Sequence, residues 1–177
     1  MLDNEIKKDC EVAPQWYARS KEMPLSPEII HTDNLDGYRN KVEFTVGRMY
    51  APPRDDVDEL WNNQAPVCVG FNRGNLAKGI SFVEKPDNIK VNSVESIIVA
   101  KQFEEIVLES PSELEPFSKM TNKGFWRILL YRESKVTKQV LVCAVVSKAT
   151  EDNPVPVMSD EIKQKLIAKF ATGTPIG

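Results

Sequence analysis

Five short segments of the chain have the residue pattern of β-strands, and the first alternates between apolar and charged or polar residues, as a strand that buries one face does. The first segment follows Gly37, and one of its sides would carry Tyr38, Asn40, Val42, Phe44 and Val46. Its other side would carry a mainly charged set, Arg39, Lys41, Glu43 and Thr45. The segment therefore predicts a strand with one buried face and one face that can meet an anion.

Four later segments have the composition of strands, and they cover residues 66–71, 79–83, 125–131 and 139–146. Turn residues at 72–75 predict a hairpin between the first two, and a loop at 133–138 predicts a second hairpin between the last two. Segment 139–146 is apolar on both faces, as in strands that are covered on both sides. We therefore expect this segment at the centre of the sheet.

Two segments carry helix signals. Asn92 or Ser93 can cap a helix that ends before Pro111, and Ser159 can cap a last helix. The first helix would bury an apolar face made of Val94, Ile98, Phe103, Ile106 and Val107. The last helix would bury Ile162, Leu166 and Phe170. The order of elements predicts an α+β fold, a mainly antiparallel sheet of about five strands with packed helices.

A chain of 177 residues with 41% hydrophobic and 28% charged residues is expected to form one principal globular domain. We divide it into an N-terminal helical segment at 1–23, a central α+β domain at 24–171 and a tail at 172–177 that leads toward a further catalytic domain. A polar insertion with an acidic run at 55–59 predicts a long loop at a hairpin tip.

Charge and cysteine content limit the functional classes. The net charge of −3 gives no general attraction for nucleic acid, so any RNA contact must be local. Three cysteines without close pairing are typical of a reducing compartment, and with the acidic N-terminus they predict an intracellular protein of the cytoplasm or nucleus. The single histidine, His31, is expected in a loop, so we expect no metal site, and no apolar run is long enough for a membrane span.

The run from Gly37 to Phe44 resembles the Gly-Tyr-Arg-Asn-Lys-x-Glu-Phe signature of eukaryotic tRNA (uracil-5-)-methyltransferases, relatives of the bacterial RNA uracil-5 methyltransferases. Val69-Gly70-Phe71 with Gly74 and Gly79 is similar to that family's Gly-Phe-x-x-Gly hairpin. Gly124 to Arg127, followed by Arg132, resembles its Gly-x-Trp strand. Together these motifs cover about residues 24 to 148 in the family's order.

The resemblance implies an enzyme that uses S-adenosylmethionine to methylate C5 of a uridine in tRNA, with a cysteine nucleophile and a donor-binding domain. The family's Gly-x-Gly, Asp-Pro-Pro-Arg-like and Ser-Cys-Asn-Pro-like runs are absent from this sequence. We therefore expect an RNA-contacting central domain that is inactive alone and holds neither catalytic nor cofactor-binding residues. Cys10, Cys68 and Cys143 are not candidates for the nucleophile, and the two within apolar strands are expected to be small buried side chains.

Arg39 is the first candidate for an RNA contact, because the resemblance places the arginine of its Tyr-Arg pair near RNA and a guanidinium can hold two phosphate oxygens. The remaining candidates are the cations that could extend a basic patch around it, Lys41, Arg73, Lys78, Arg127 and Arg132. Scatter over an even surface is an equal alternative, and Lys41 beside Glu43 can be a solvated strand face.

For Asn40 we favour a buried hydrogen bond over contact with RNA. For the aromatic side chains that could stack on bases, core packing is favoured over stacking, and these are Tyr38, Phe71, Phe125 and Trp126.

A second hypothesis is a protein-interaction or scaffolding module whose sheet and acidic loop at 54–59 dock another domain, without contact to RNA. An independent enzyme is less favoured, because no constellation of nucleophile, base and acid is evident. Binding of tRNA that weakens as salt rises would separate the first two hypotheses.

Overall fold

The structure of the chain is a computed structural model, and it describes residues 35–49, 65–73 and 82–171. The predicted N-terminal helical segment, the acidic run at 55–59, Lys78 and the tail at 172–177 lie outside the described residues. The described residues belong to one compact unit.

Five antiparallel strands form one sheet in the order β3-β2-β1-β4-β5. The strands are β1 (Lys41–Arg48), β2 (Val67–Arg73), β3 (Phe82–Glu84), β4 (Trp126–Ser134) and β5 (Gln139–Val146). Strands β1 and β2 pair antiparallel, as do β2 and β3, β1 and β4, and β4 and β5. Two helices accompany the sheet, so the predicted α+β class is confirmed.

The helices are α1 (Val94–Leu108) and α2 (Asp160–Phe170). Both begin at a predicted serine cap: the Ser93 hydroxyl accepts a hydrogen bond from the Ser96 amide, and the Ser159 hydroxyl accepts one from the Ile162 amide. The predicted face of α1 is wrong at its start, where Val94 is 68% exposed. The buried positions of α1 follow a helical period from Ser96 onward instead, namely Ser96, Val99, Ala100, Phe103, Ile106 and Val107.

The core lies between α1 and one face of the sheet. The predicted alternation in β1 is confirmed at Val42, Phe44 and Val46, which are all buried. From the centre of α1, Phe103 meets the Trp126 ring edge-on, with centroids 5.5 Å apart. This face of the sheet is therefore the one that a helix covers.

The predicted central position of segment 139–146 is wrong, because β5 forms an edge of the sheet. Its bounds are as predicted, but Leu141 and Val145 are 55% and 38% exposed and Cys143 is exposed as well. An apolar pattern on both faces is typical of a doubly covered strand, yet it gives no information on where the strand pairs. The position of β5 in the sheet depends on which strands pair with it, and that pairing is known only from the folded structure.

Helix α2 packs beside α1 on the covered side of the sheet. Two lysines of α2 reach carboxylates of α1, with Lys169 Nζ 3.1 Å from Glu105 Oε2 and Lys165 Nζ 3.8 Å from Glu109 Oε2. The segment before α2 is held by Asn153, whose side chain accepts a hydrogen bond from the Gly124 amide and donates one to the Gly124 carbonyl. These contacts fix α2 below the edge strand β5.

Candidate nucleic-acid interface

Several cationic side chains lie at one end of the sheet, where β1 and β5 begin and β4 ends. Lys41 on β1 lies directly opposite Arg132 on β4, and both side chains are exposed. Residues directly opposite in an antiparallel pair point to the same face of the sheet, with Cβ atoms about 5 Å apart. Their charges therefore stand side by side on the face that α1 does not cover.

Arg39 precedes β1 and is fixed by its main chain. Its amide donates a hydrogen bond to the Val91 carbonyl over 3.0 Å, and the Gly37 amide donates one to the Lys90 carbonyl over 2.7 Å. The Arg39 side chain is exposed, and its guanidinium makes no ion pair within the described ranges. The backbone is thus held in place while the charged group is left available to an anion.

Lys41 has an acidic neighbour on its own strand. Its ammonium lies 2.8 Å from a carboxylate oxygen of Glu43, and this hydrogen bond and charge hold the pKa of Glu43 below its usual range. Both side chains are more than half exposed, so the ion pair is weak and readily exchanged. The geometry is consistent with either hypothesis for Lys41, a solvated strand face or a phosphate contact.

Sequence reasoning did not select three further cations at this end, Lys90, Lys135 and Lys138. Lys135 Nζ donates a hydrogen bond to the Gly37 carbonyl over 2.6 Å, which ties the β4–β5 hairpin to the segment before β1. Lys138 lies in the same hairpin turn. Lys135 and Lys138 belong to the predicted loop at 133–138, but the sequence does not show which segment this loop lies beside. The pairing of β4 with β1 places it beside Arg39.

Two of the predicted site residues that the structure describes, Arg73 and Arg127, do not join this group. The paired part of β1 and β2 ends at Thr45 and Gly70, and Arg73 turns toward β3, where it lies 3.0 Å from Glu84. Arg127 is the second residue of β4 and lies at the opposite end of that strand, with its guanidinium 4.2 Å from the centre of the Phe117 ring. Lys78 lies outside the described residues. Of the five predicted cations within the described ranges, Arg39, Lys41 and Arg132 come together.

The residues flanking Arg39 differ from expectation. Asn40 was expected to be buried, but β1 begins one residue later and Asn40 is exposed. Tyr38 was expected in the core and is 56% exposed. Core packing is confirmed for Phe125 and Trp126, which are buried, and Phe71 packs partly buried against Phe44.

This end of the sheet also contains a partly buried carboxylate, that of Glu133. The Tyr131 hydroxyl donates a hydrogen bond to Glu133 over 2.7 Å, and burial together with this carboxylate raises the pKa of Tyr131. Next to it, Arg132, Glu133 and Ser134 line a shallow depression of about 460 Å³ with the start of β5. We call this end of the sheet the basic end. Its six described cations are Arg39, Lys41, Lys90, Arg132, Lys135 and Lys138.

The two described cysteines differ in environment. Cys68 on β2 is fully buried, and burial raises the pKa of its thiol to about 12. Cys143 on β5 is exposed, so its expected burial is wrong, because β5 lies at the sheet edge. Within the described ranges no three His, Cys, Asp or Glu side chains are grouped to hold a metal ion. Neither helix of the described part has the length and apolar character to cross a membrane.

Comparison with known proteins gives one distant relative. The chain is 29% identical over 126 residues to zinc finger CCCH domain-containing protein 24 of Arabidopsis thaliana. The match covers 69% of this chain and 14% of that protein, so the chain spans a small part of its relative's length. No family model matches the chain. In this chain the cysteines and the histidine occur in the order Cys10, His31, Cys68 and Cys143, which is not a Cys-Cys-Cys-His order.

Proposed function

We infer that the chain is an RNA-contacting domain of a larger S-adenosylmethionine-dependent tRNA (uracil-5-)-methyltransferase, and that it binds the tRNA substrate through the basic end. It works inside the cell, and it holds RNA without transforming it. The methyl donor and the reacting cysteine belong to a separate catalytic domain.

The observation that carries this proposal is the grouping of three candidate cations from distant parts of the sequence. Arg39 and Lys41 are separated from Arg132 by about ninety residues of chain, and strand pairing brings them to one exposed end. A phosphate backbone is recognised by such clusters of exposed cations even when the whole protein is acidic. The exposed Tyr38 adds an aromatic ring on which an unpaired base can stack.

The distant relative supports the view that the chain acts as part of a larger protein. In that relative the matched stretch is 14% of the polypeptide. Among the described residues, Cys68 is buried with a raised thiol pKa, whereas the implied chemistry needs a thiolate. We therefore assign the chemistry that the motif resemblance implies to the separate catalytic domain.

Titration of a tRNA transcript at several salt concentrations tests the proposal. Arg39→Ala and Arg132→Ala should each weaken binding and reduce the slope of log affinity against log salt by about one unit, as expected for one lost phosphate contact. Arg127→Ala is the matched control, because this exposed arginine lies on the same sheet at the opposite end of β4. Unchanged slopes for both test variants would remove the basic end from the proposal.

One observation favours the second function, a protein-interaction module. Leu141, Cys143 and Val145 form an exposed apolar row on the face of the sheet that carries Lys41 and Arg132. On that hypothesis the chain would not bind tRNA at low salt, and it would bind a protein partner with little dependence on salt. The same titration therefore decides between the two functions.

A further inference from the structure

The two edges of the sheet are unequally protected against pairing with another strand. Edge strand β3 has three residues, includes Glu84 and is followed by Lys85. Edge strand β5 has eight residues, Gln139 to Val146, and none of them is charged. Soluble proteins protect exposed edges by short strands and charged side chains, because a bare edge can pair with a further strand. By this measure β3 is protected and β5 is not.

The surroundings of β5 fit an added strand. Among the described residues no strand pairs with its outer edge. On the open face Leu141 is 55% exposed, and on the helical face Ile167 of α2 is 51% exposed. A groove of about 330 Å³ runs below the edge, and its lining includes Val140, Leu166, Ile167 and Phe170. Apolar surface is thus exposed on both sides of an unpaired backbone.

We propose that two copies of this chain pair through β5, antiparallel and around a two-fold axis, so that their sheets join into one. A symmetric pair places each uncharged strand against the same uncharged strand, so no charge is buried and no like charges meet on the strands. The small inner residues of the partner strand, such as Val142 and Ala144, lie over the groove.

The charges at the ends of β5 favour the antiparallel arrangement. Lys135 and Lys138 precede the strand, whereas Glu151 and Asp152 follow it, together with Lys148. When the two Cys143 residues lie opposite each other, antiparallel pairing brings Lys135 of one copy beside Glu151 of the other, while Lys138 lies beside Lys148. It also keeps the two basic ends at opposite ends of the joined sheet, which limits their mutual repulsion.

The two-fold axis must pass close to Cys143. Opposed residues have to share a face of the sheet, so the axis near the middle of the strand crosses β5 at Val142 or at Cys143. In the second case the two Cys143 side chains lie directly opposite, with Cβ atoms about 5 Å apart, and in the first they are diagonal neighbours at about 8 Å. Both registers place the two exposed thiols within reach of a short cross-linker.

Cross-linking of the 177-residue chain with a short bismaleimide tests this contact. The Cys10→Ser chain should give a covalent dimer through Cys143, because Cys68 is buried. A chain that carries Cys10→Ser and Cys143→Ser with a Val136→Cys reporter should not, since position 136 lies in the hairpin turn far from the axis. Equal cross-linking of the two chains would overturn the proposal.

Sedimentation over a range of concentrations measures the association itself. Leu141→Lys introduces an edge lysine at a position that is already more than half exposed, and it should weaken dimerisation at least about tenfold, because the charge enters twice. Val157→Lys is the control, since Val157 is 86% exposed and lies outside β5. A chain that stays monomeric at all concentrations contradicts the proposal. A β5 edge that binds a different protein in place of a second copy contradicts it as well. A dimer that Leu141→Lys leaves intact also contradicts it.

Discussion

At the scale of single residues, Cys68 and Cys143 show how the position of a strand in the sheet changes the environment of the same type of side chain. Both lie in apolar strands, but β2 is flanked by β1 and β3, whereas β5 pairs with β4 alone among the described strands. Cys68 is therefore fully buried and Cys143 is exposed. A thiolate loses its hydration when it is buried, so the buried Cys68 thiol should be less reactive than the exposed Cys143 thiol.

Cys68 is expected to make the folded state sensitive to alkali. Its pKa of about 12 lies above the ordinary thiol value of 9.0, so the folded state retains a proton that the unfolded state loses. This contribution to stability is complete below about pH 9 and is lost as the pH rises toward 12. The slope is at most about 1.4 kcal/mol per pH unit for one proton. Urea unfolding at pH 8 to 11 should show a shallower decline for Cys68→Ala than for the natural chain.

Cys143→Ala is the control for this measurement, because it also removes one thiol, but an exposed one. Tyr131, whose pKa is also raised, contributes a decline in the same direction in every variant. Equal declines for Cys68→Ala and the natural chain would show that the buried thiol does not titrate in this way.

At the scale of elements, local sequence predicted the bounds of several strands and helices but not their neighbours. Gln139 to Val146 and the cap at Ser159 were predicted to the residue, because alternation and capping are local signals. The place of β5 at the edge and the early end of the β1–β2 pairing depend on contacts between distant segments. A pattern read along the chain carries no information about such contacts.

The cap of α2 allows a direct test of an element. The Ser159 hydroxyl accepts a hydrogen bond from the Ile162 amide, which has no partner within the helix. Ser159→Ala should lower the free energy of unfolding by about 1 kcal/mol, whereas Ser159→Asp should retain the stability, because a carboxylate caps a helix and favours its positive end. Denaturant unfolding measures both variants. Equal loss in both would mean that the hydroxyl does not act as a cap.

At the scale of the whole molecule, the net charge is negative, whereas the local charge at the basic end is positive. The chain has 23 basic and 26 acidic residues, yet six cations share the basic end. Motif resemblance and strand alternation identify Arg39, Lys41 and Arg132 in the sequence. They do not identify Lys90 or Lys135, because their proximity to Arg39 results from the hydrogen bonds of Gly37 with both segments.

If the local arrangement governs RNA binding, two variants of equal net charge should behave differently. Lys41→Glu with Lys135→Glu reverses two charges at the basic end, and Lys119→Glu with Lys123→Glu reverses two exposed charges before β4, at the opposite end of the sheet. Both double variants become more acidic by the same amount, so the general repulsion of RNA rises equally. Only the first removes two potential phosphate contacts, and it should reduce the slope of log affinity against log salt by about two units. Equal losses of affinity and slope in the tRNA titration would mean that the field of the whole chain controls binding, whereas loss confined to the first variant would assign the contact to the basic end.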